Sequence, residues 1–143
     1  MHLHEIGIVK GVKVIIDTAF TPDAINNTLQ LYEDHKISIV LDHPDTGTIR
    51  DKKQLAEALN NYKNINKVYG CTYNLFKEEN QLDSMKEILS NLKSDYIIVS
   101  TMQHGVKEAV ANITDEKYIL VFSVNIQHNG WVVDDIKEYL CSC

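Results

Sequence analysis

Five short runs rich in β-branched residues recur along the chain: "KVIID" (13–17), "ISIVLD" (37–42), "KVYGCTYN" (67–74), "DYIIVST" (95–101) and "YILVFSVNI" (118–126). The middle of each is apolar at successive positions, so a strand there needs cover on both faces. Between the runs the apolar period changes to three and four. In "TPDAINNTLQLYEDH", Thr21 is placed to cap a helix, Pro22 suits its first position, and Ile25, Leu29 and Tyr32 form one stripe. Similar stripes join Leu55, Leu59 and Tyr62; Leu82, Met85, Leu89 and Leu92; Val106, Val110 and Ile113; and Ile136 with Leu140. This alternation predicts an α/β three-layer sandwich whose mostly parallel central sheet has about five strands. Lys10-Gly11 predicts an N-terminal hairpin, or a bulge in one long strand, and Asn129-Gly130 an antiparallel edge strand. The 143 residues fit a single domain, 1–143.

Composition narrows the partners. The net charge is −6, with 14 basic and 20 acidic residues and no basic cluster. Neutralising many phosphates at once supplies much of the affinity for a nucleic-acid polymer, so such a polymer is not expected as a partner. A small anion is different, because free amides at a helix start can hold one phosphate without a basic surface. No apolar run reaches the ~20 residues that cross a bilayer, and the opening "MHLHEIGIVKG" has no secretory pattern. The expectation is a cytoplasmic protein without a membrane partner. Among the three cysteines, Cys71 reads as a core thiol, and Cys141 and Cys143 as a reduced tail, since one C-x-C is half a zinc site.

The fold class says where to look for function. Open parallel sheets bind ligands beyond the carboxyl ends of their strands, where successive connections part company. That rule selects the polar residues ending each run. "ISIVLD" leads into Asp42, His43, Asp45 and Thr46, with Arg50, the sole arginine, shortly after. Two carboxylates and an imidazole so close could act as general base or nucleophile, hold Mg²⁺ through the carboxylates, or hold a transition metal with help from His104. The same residues make a good turn, with Pro44 fixing φ and Gly47 permitting positive φ. "STMQHGVKEAV" (100–110) offers Ser100, Thr101, Gly105 and Lys107 to a phosphate, although it lacks the glycine spacing of a P-loop. Asp17, Thr18 and Asn125 complete the candidate ligand-binding set.

"IVLDHPDTGT", then "DYIIVST", Lys107 and "VVDD" resembles the motif order of haloacid-dehalogenase-like phosphohydrolases. The resemblance implies Asp42 as nucleophile, Ser100 or Thr101 and Lys107 as phosphate ligands, and Asp134 or Asp135 as metal ligands. It departs from that family in separating Asp42 from Asp45 by two residues instead of one. A strand and a helix also precede Asp42, where the family opens on that strand.

Three readings of function follow. The first is a binding protein holding a small phosphate-bearing, nucleotide-like ligand at the strand ends, with no acid–base–nucleophile set of specific spacing. The second is a metal-assisted phosphoester hydrolase using Asp42, Asp45 and His104. The third is an interaction or homo-oligomeric assembly protein docking through an edge strand such as "HLHEIGIV". The ligand-binding reading accounts best for polar residues at all five strand ends.

Overall fold

The computed structural model describes residues 3–19, 21–42, 52–74, 79–123 and 130–143. His43, Asp45, Thr46, Arg50 and Asn125 lie outside the described residues. Strand β1 (Leu3–Val9) turns through Lys10 and Gly11 into β2 (Val12–Asp17). Both turn residues have positive φ, +52° and +77°. Two such residues give the tight turn that matches strand twist, so the segment is a hairpin and not one bulged strand. A register shift between Glu5 and Gly7 does add a bulge within β1.

The chain then alternates: α1 (Pro22–Leu31), β3 (Ile37–Leu41), α2 (Lys52–Asn60) and β4 (Ile65–Cys71). A minor antiparallel pair follows, β5 (Tyr73–Asn74) with β6 (Glu79–Asn80). Next come α3 (Leu82–Leu89), β7 (Asp95–Val99), α4 (Met102–Ala111), β8 (Tyr118–Phe122) and α5 (Gly130–Ser142). Thr21 caps α1 as expected, its hydroxyl accepting the Ala24 amide at 3.2 Å. At residue 130 the expected edge strand gives way to a helix start, and β1 supplies the antiparallel edge.

The main sheet has six strands in the order β1-β2-β8-β3-β4-β7, all parallel except β1. Its sixth strand is the hairpin's first arm. Three crossovers, through α1, α2 and α3, step one way across the sheet, and the fourth, through α4, steps back to insert β8 between β2 and β3. Because crossovers are right-handed, reversing the step moves the helix to the other face. The core divides accordingly. Ile25, Leu29, Leu55, Leu59, Met85, Ile88 and Leu89 pack on one face, and Val106, Val110, Ile136 and Leu140 on the other. Successive residues of β8 serve both: Ile119 and Val121 face α4 and α5, Leu120 and Phe122 the opposite layer.

One run escapes its expected cover. β7 is an edge strand, and Tyr96 and Ile97 stay 45% and 38% exposed while Val99 is buried.

At the amino ends of the strands a buried carboxylate ties the α4–β8 connection to the sheet. Glu116 is 6% exposed. It accepts hydrogen bonds from the Thr114 amide at 2.7 Å, Asn66 Nδ2 at 2.9 Å and Ser38 Oγ at 3.3 Å. Burial pushes its pKa up, but the bonds from Asn66, Thr114 and Ser38 outweigh that and hold it below the usual glutamate value. A folded pKa below the unfolded one adds stability above the unfolded value, and this is lost as pH falls through the folded one. Glu116→Gln should therefore cost about 1–3 kcal/mol at neutral pH. In urea unfolding the deficit should shrink below pH ~4; a deficit independent of pH would contradict the assignment.

Candidate functional site

Register places the strand ends on one level. Asp17 and Leu41 both pair with Phe122, Leu41 pairs with Gly70, and Gly70 with Ile98. The five parallel strands thus present their polar tails along a single rim. The rim has a break at β8, which leads to α5 on one face while its neighbours β2 and β3 lead to α1 and α2 on the other. A crevice between diverging connections is the favoured ligand position in such sheets.

Three residues meet at that break: Asp17, Asp42 and Ser123. Asp17, the last residue of β2, is 2% exposed. Its side chain falls on the α1 face, where it accepts hydrogen bonds from the buried Thr28 hydroxyl and from the Ala19 amide. Asp42 follows β3 and continues the alternation of Val40, so its side chain falls on the α4 face. Ser123 joins the two: its hydroxyl donates to Asp42 Oδ2 at 2.6 Å and its amide to the Asp17 carbonyl at 3.0 Å. The Asp42 amide completes the link, donating to the Phe122 carbonyl at 2.9 Å. Nearby, Cys71 is fully buried, and burial together with the Asp42 charge pushes its thiol well above the ordinary range. A thiol so held is a packing group, as expected for that residue.

A second group sits where β4 and β7 send their helices to opposite faces. Thr101 caps α4, its Oγ1 accepting the His104 amide at 3.2 Å. His104 Nδ1 lies 3.0 Å from Ser100 Oγ and accepts the Ser100 amide at 3.2 Å. Thr72 binds back to the Val99 carbonyl. Gly105, nominated as a ligand amide, is spent on the helix, its N–H donating to the Thr101 carbonyl at 2.9 Å. A Cβ there would lie 2.7 Å from Val40 Cγ1, so the glycine is what lets α4 approach the sheet. Lys107 leans away toward α5, its ammonium 5.4 Å from the Tyr139 ring centroid.

Asp42 and His104 therefore belong to separate clusters, one bonded to β8 and the other to β7 and α4. Among the described residues no three His, Cys, Asp or Glu side chains converge to hold a metal. Thr18 is half-buried beside Asp17. A groove of about 530 Å³ opens on the same rim between β1 and α5, lined by Leu3, His4, Ile16, Val133, Asp134 and Lys137.

Sequence reasoning missed Ser123 and Thr28. Ser123 is the first polar residue after the apolar core of its run, the signal that nominated Ser100, but the run was read through to Ile126. Thr28 lies beside Leu29 on the buried side of α1. Ser123→Ala leaves Asp42 short of a buried donor and should cost about 1–3 kcal/mol in urea unfolding. Stability equal to that of the parent chain would show that the hydroxyl does not hold the rim together.

Residues 3–124 match the family described as "Mur ligase, glutamate ligase domain". A UDP-N-acetylmuramoyl-L-alanyl-D-glutamate--L-lysine ligase from Streptococcus thermophilus is 27% identical over 116 residues, which are 79% of this chain and 24% of the relative. The chain thus spans about a quarter of that ligase. Among solved structures, a domain titled as from a UDP-N-acetylmuramate:L-alanyl-gamma-D-glutamyl-medo-diaminopimelate ligase of Haemophilus ducreyi superposes with TM-score 0.67 at 22% identity. That match covers 99% of this chain and 98% of the other. A murein peptide ligase from Psychrobacter arcticus gives TM-score 0.64 at 14% identity, covering 96% of this chain and 29% of the other. These structural likenesses show the fold. The match over 3–124 replaces the resemblance to haloacid-dehalogenase-like phosphohydrolases, and Asp134 and Asp135, its implied metal ligands, lie inside α5. By sequence, and in agreement with its strand and helix arrangement, this chain belongs to the Mur ligase glutamate ligase domain family.

Proposed function

We propose that this chain is the ligand-holding domain of a ligase that extends UDP-N-acetylmuramoyl substrates, and that its strand-end rim binds a small phosphate-bearing, nucleotide-like ligand. The relatives' names supply the substrate class: each joins an amino acid or peptide to such a sugar nucleotide or acts on murein peptide. The observation that carries the reading is the Asp17–Ser123–Asp42 linkage at the break in the rim. It fixes the ends of three strands from three parts of the sequence, giving a ligand a prepared floor.

Roles follow from chemistry. The first-turn amides of α4, with Ser100 and Thr101 beside them, suit an anionic oxygen. Thr18 and Asp42 suit hydroxyl groups of the ligand, while Asp17, bonded to Thr28 and Ala19 on the opposite face, holds the segment that carries Thr18. His43, Asp45, Thr46, Arg50 and Asn125, which follow β3 and β8 in sequence, are proposed as further ligand contacts on sequence alone. We assign residues 1–143 as one domain working in the cytoplasm; no helix among the described residues is long and apolar enough to cross a membrane. Self-association would engage an open sheet edge, either β1 ("HLHEIGIV") or β7, where Tyr96 and Ile97 are exposed.

Thermal unfolding with UDP, ATP and sugar phosphates, each with and without Mg²⁺, tests the reading. A ligand at ~100 times its Kd stabilises by about 2.7 kcal/mol, which in a domain of this size raises Tm by several degrees. Asp42→Asn should abolish the rise while staying folded. An unchanged Tm across the panel would remove the ligand-binding reading.

A further inference from the structure

The Ser100–His104–Glu108 cluster has a geometry that capping alone does not use. The Ser100 amide donates to His104 Nδ1 at 3.2 Å, so that nitrogen is an acceptor and the ring proton sits on Nε2. Ser100 Oγ lies 3.0 Å from the same acceptor. Across the ring, Nε2 faces Glu108 Oε1 at 3.6 Å, one helical turn further along α4. A hydroxyl, an imidazole able to take its proton, and a carboxylate able to stabilise the imidazolium are thus aligned in order. The roles match those of a serine-nucleophile triad, with Nδ1 and Nε2 exchanged.

Two further features supply what such a nucleophile needs. The amides of Met102 and Gln103, first in α4, have no hydrogen-bond partner among the described residues, because Thr101 serves those of His104 and Gly105. They lie next to Ser100 along the chain, where an oxyanion would form. The cluster is open to reagents, His104 and Glu108 having side chains 46% and 40% exposed.

We propose that Ser100 is a nucleophile toward small activated acyl esters, with His104 as its base and Glu108 as the positioning residue. Ser100 Oγ attacks the carbonyl carbon as its proton passes to His104 Nδ1, displacing the Ser100 amide from that nitrogen. The tetrahedral oxyanion rests on the amides of Met102 and Gln103. Collapse breaks the ester C–O bond, and the leaving alcohol takes the proton from Nδ1. Water then attacks the acyl-serine by the same route, restoring Ser100 and releasing a carboxylic acid.

The test is incubation of the intact chain with p-nitrophenyl acetate, following p-nitrophenolate release and mapping the acetylated residue by peptide mass spectrometry. The expected result is acetylation at Ser100 and a release rate that falls about 10²-fold in Ser100→Ala and His104→Gln. The rate should return in part with Ser100→Cys, and Glu108→Gln should shift the pH profile of release. Acetyl groups confined to lysines, or release unchanged in Ser100→Ala, would overturn the proposal. The mapping uses the parent chain, so a variant that fails to fold does not blunt it. The proposal shares Ser100 and the first-turn amides of α4 with the ligand-binding reading, but acetyl mapping reads the nucleophile without any nucleotide, so either reading can fail alone.

Discussion

The insertion of β8 between β2 and β3 is the constraint from which the rest of this structure follows. Until that strand arrives, β2 and β3 have no common neighbour, and the carboxyl ends of the sheet are two separate edges. Its arrival contributes five backbone pairings on each side and brings Ser123 level with Asp17 and Asp42. One serine then satisfies a side-chain acceptor of one strand and a main-chain acceptor of the other. Buried carboxylates are expensive to leave without donors, so the strand that completes the sheet also satisfies the site.

The reversal that places β8 also sorts the helices. With α1 to α3 on one face and α4 and α5 on the other, each face of the central strands meets an apolar layer. Fully buried side chains such as Leu29 and Phe122 each contribute on the order of 1.5–3 kcal/mol to that arrangement. The opposite rim is closed by a different polar device, Glu116 with its donors from Ser38, Asn66 and Thr114. Polar groups are therefore buried and bonded at both ends of the sheet, and at the carboxyl end the diverging helices also open a crevice.

Much of the architecture was legible because burial on two faces forces continuous apolar runs, and helices announce their starts. Thr21 and Pro22 marked α1, and Lys10-Gly11 marked the hairpin, although only the φ angles decide between a hairpin and a bulge. Strand order was illegible for a physical reason: parallel neighbours are brought together by crossovers, and nothing local in "YILVFSVNI" says where it will insert. Ser123 was hidden with it, since a small polar residue inside a run looks like another strand position until its partner strands are known. Gly105 was read for its amide, whereas its missing Cβ matters because Val40 stands where that atom would go. Exposure of Tyr96 and Ile97 shows the limit of composition, as an edge strand and a central strand can share one apolar pattern.

The central claim is that ligand binding is confined to the rim built on Asp17, Ser123 and Asp42. Nuclear magnetic resonance titration of the ¹⁵N-labelled chain with UDP addresses it residue by residue. The account predicts amide shifts at Thr18, Asp42, Ser123 and the first turn of α4, with Asn64, Asn66 and Glu116 at the far rim unmoved. Shifts clustered at the far rim, with the Asp17–Ser123–Asp42 amides silent, would contradict it.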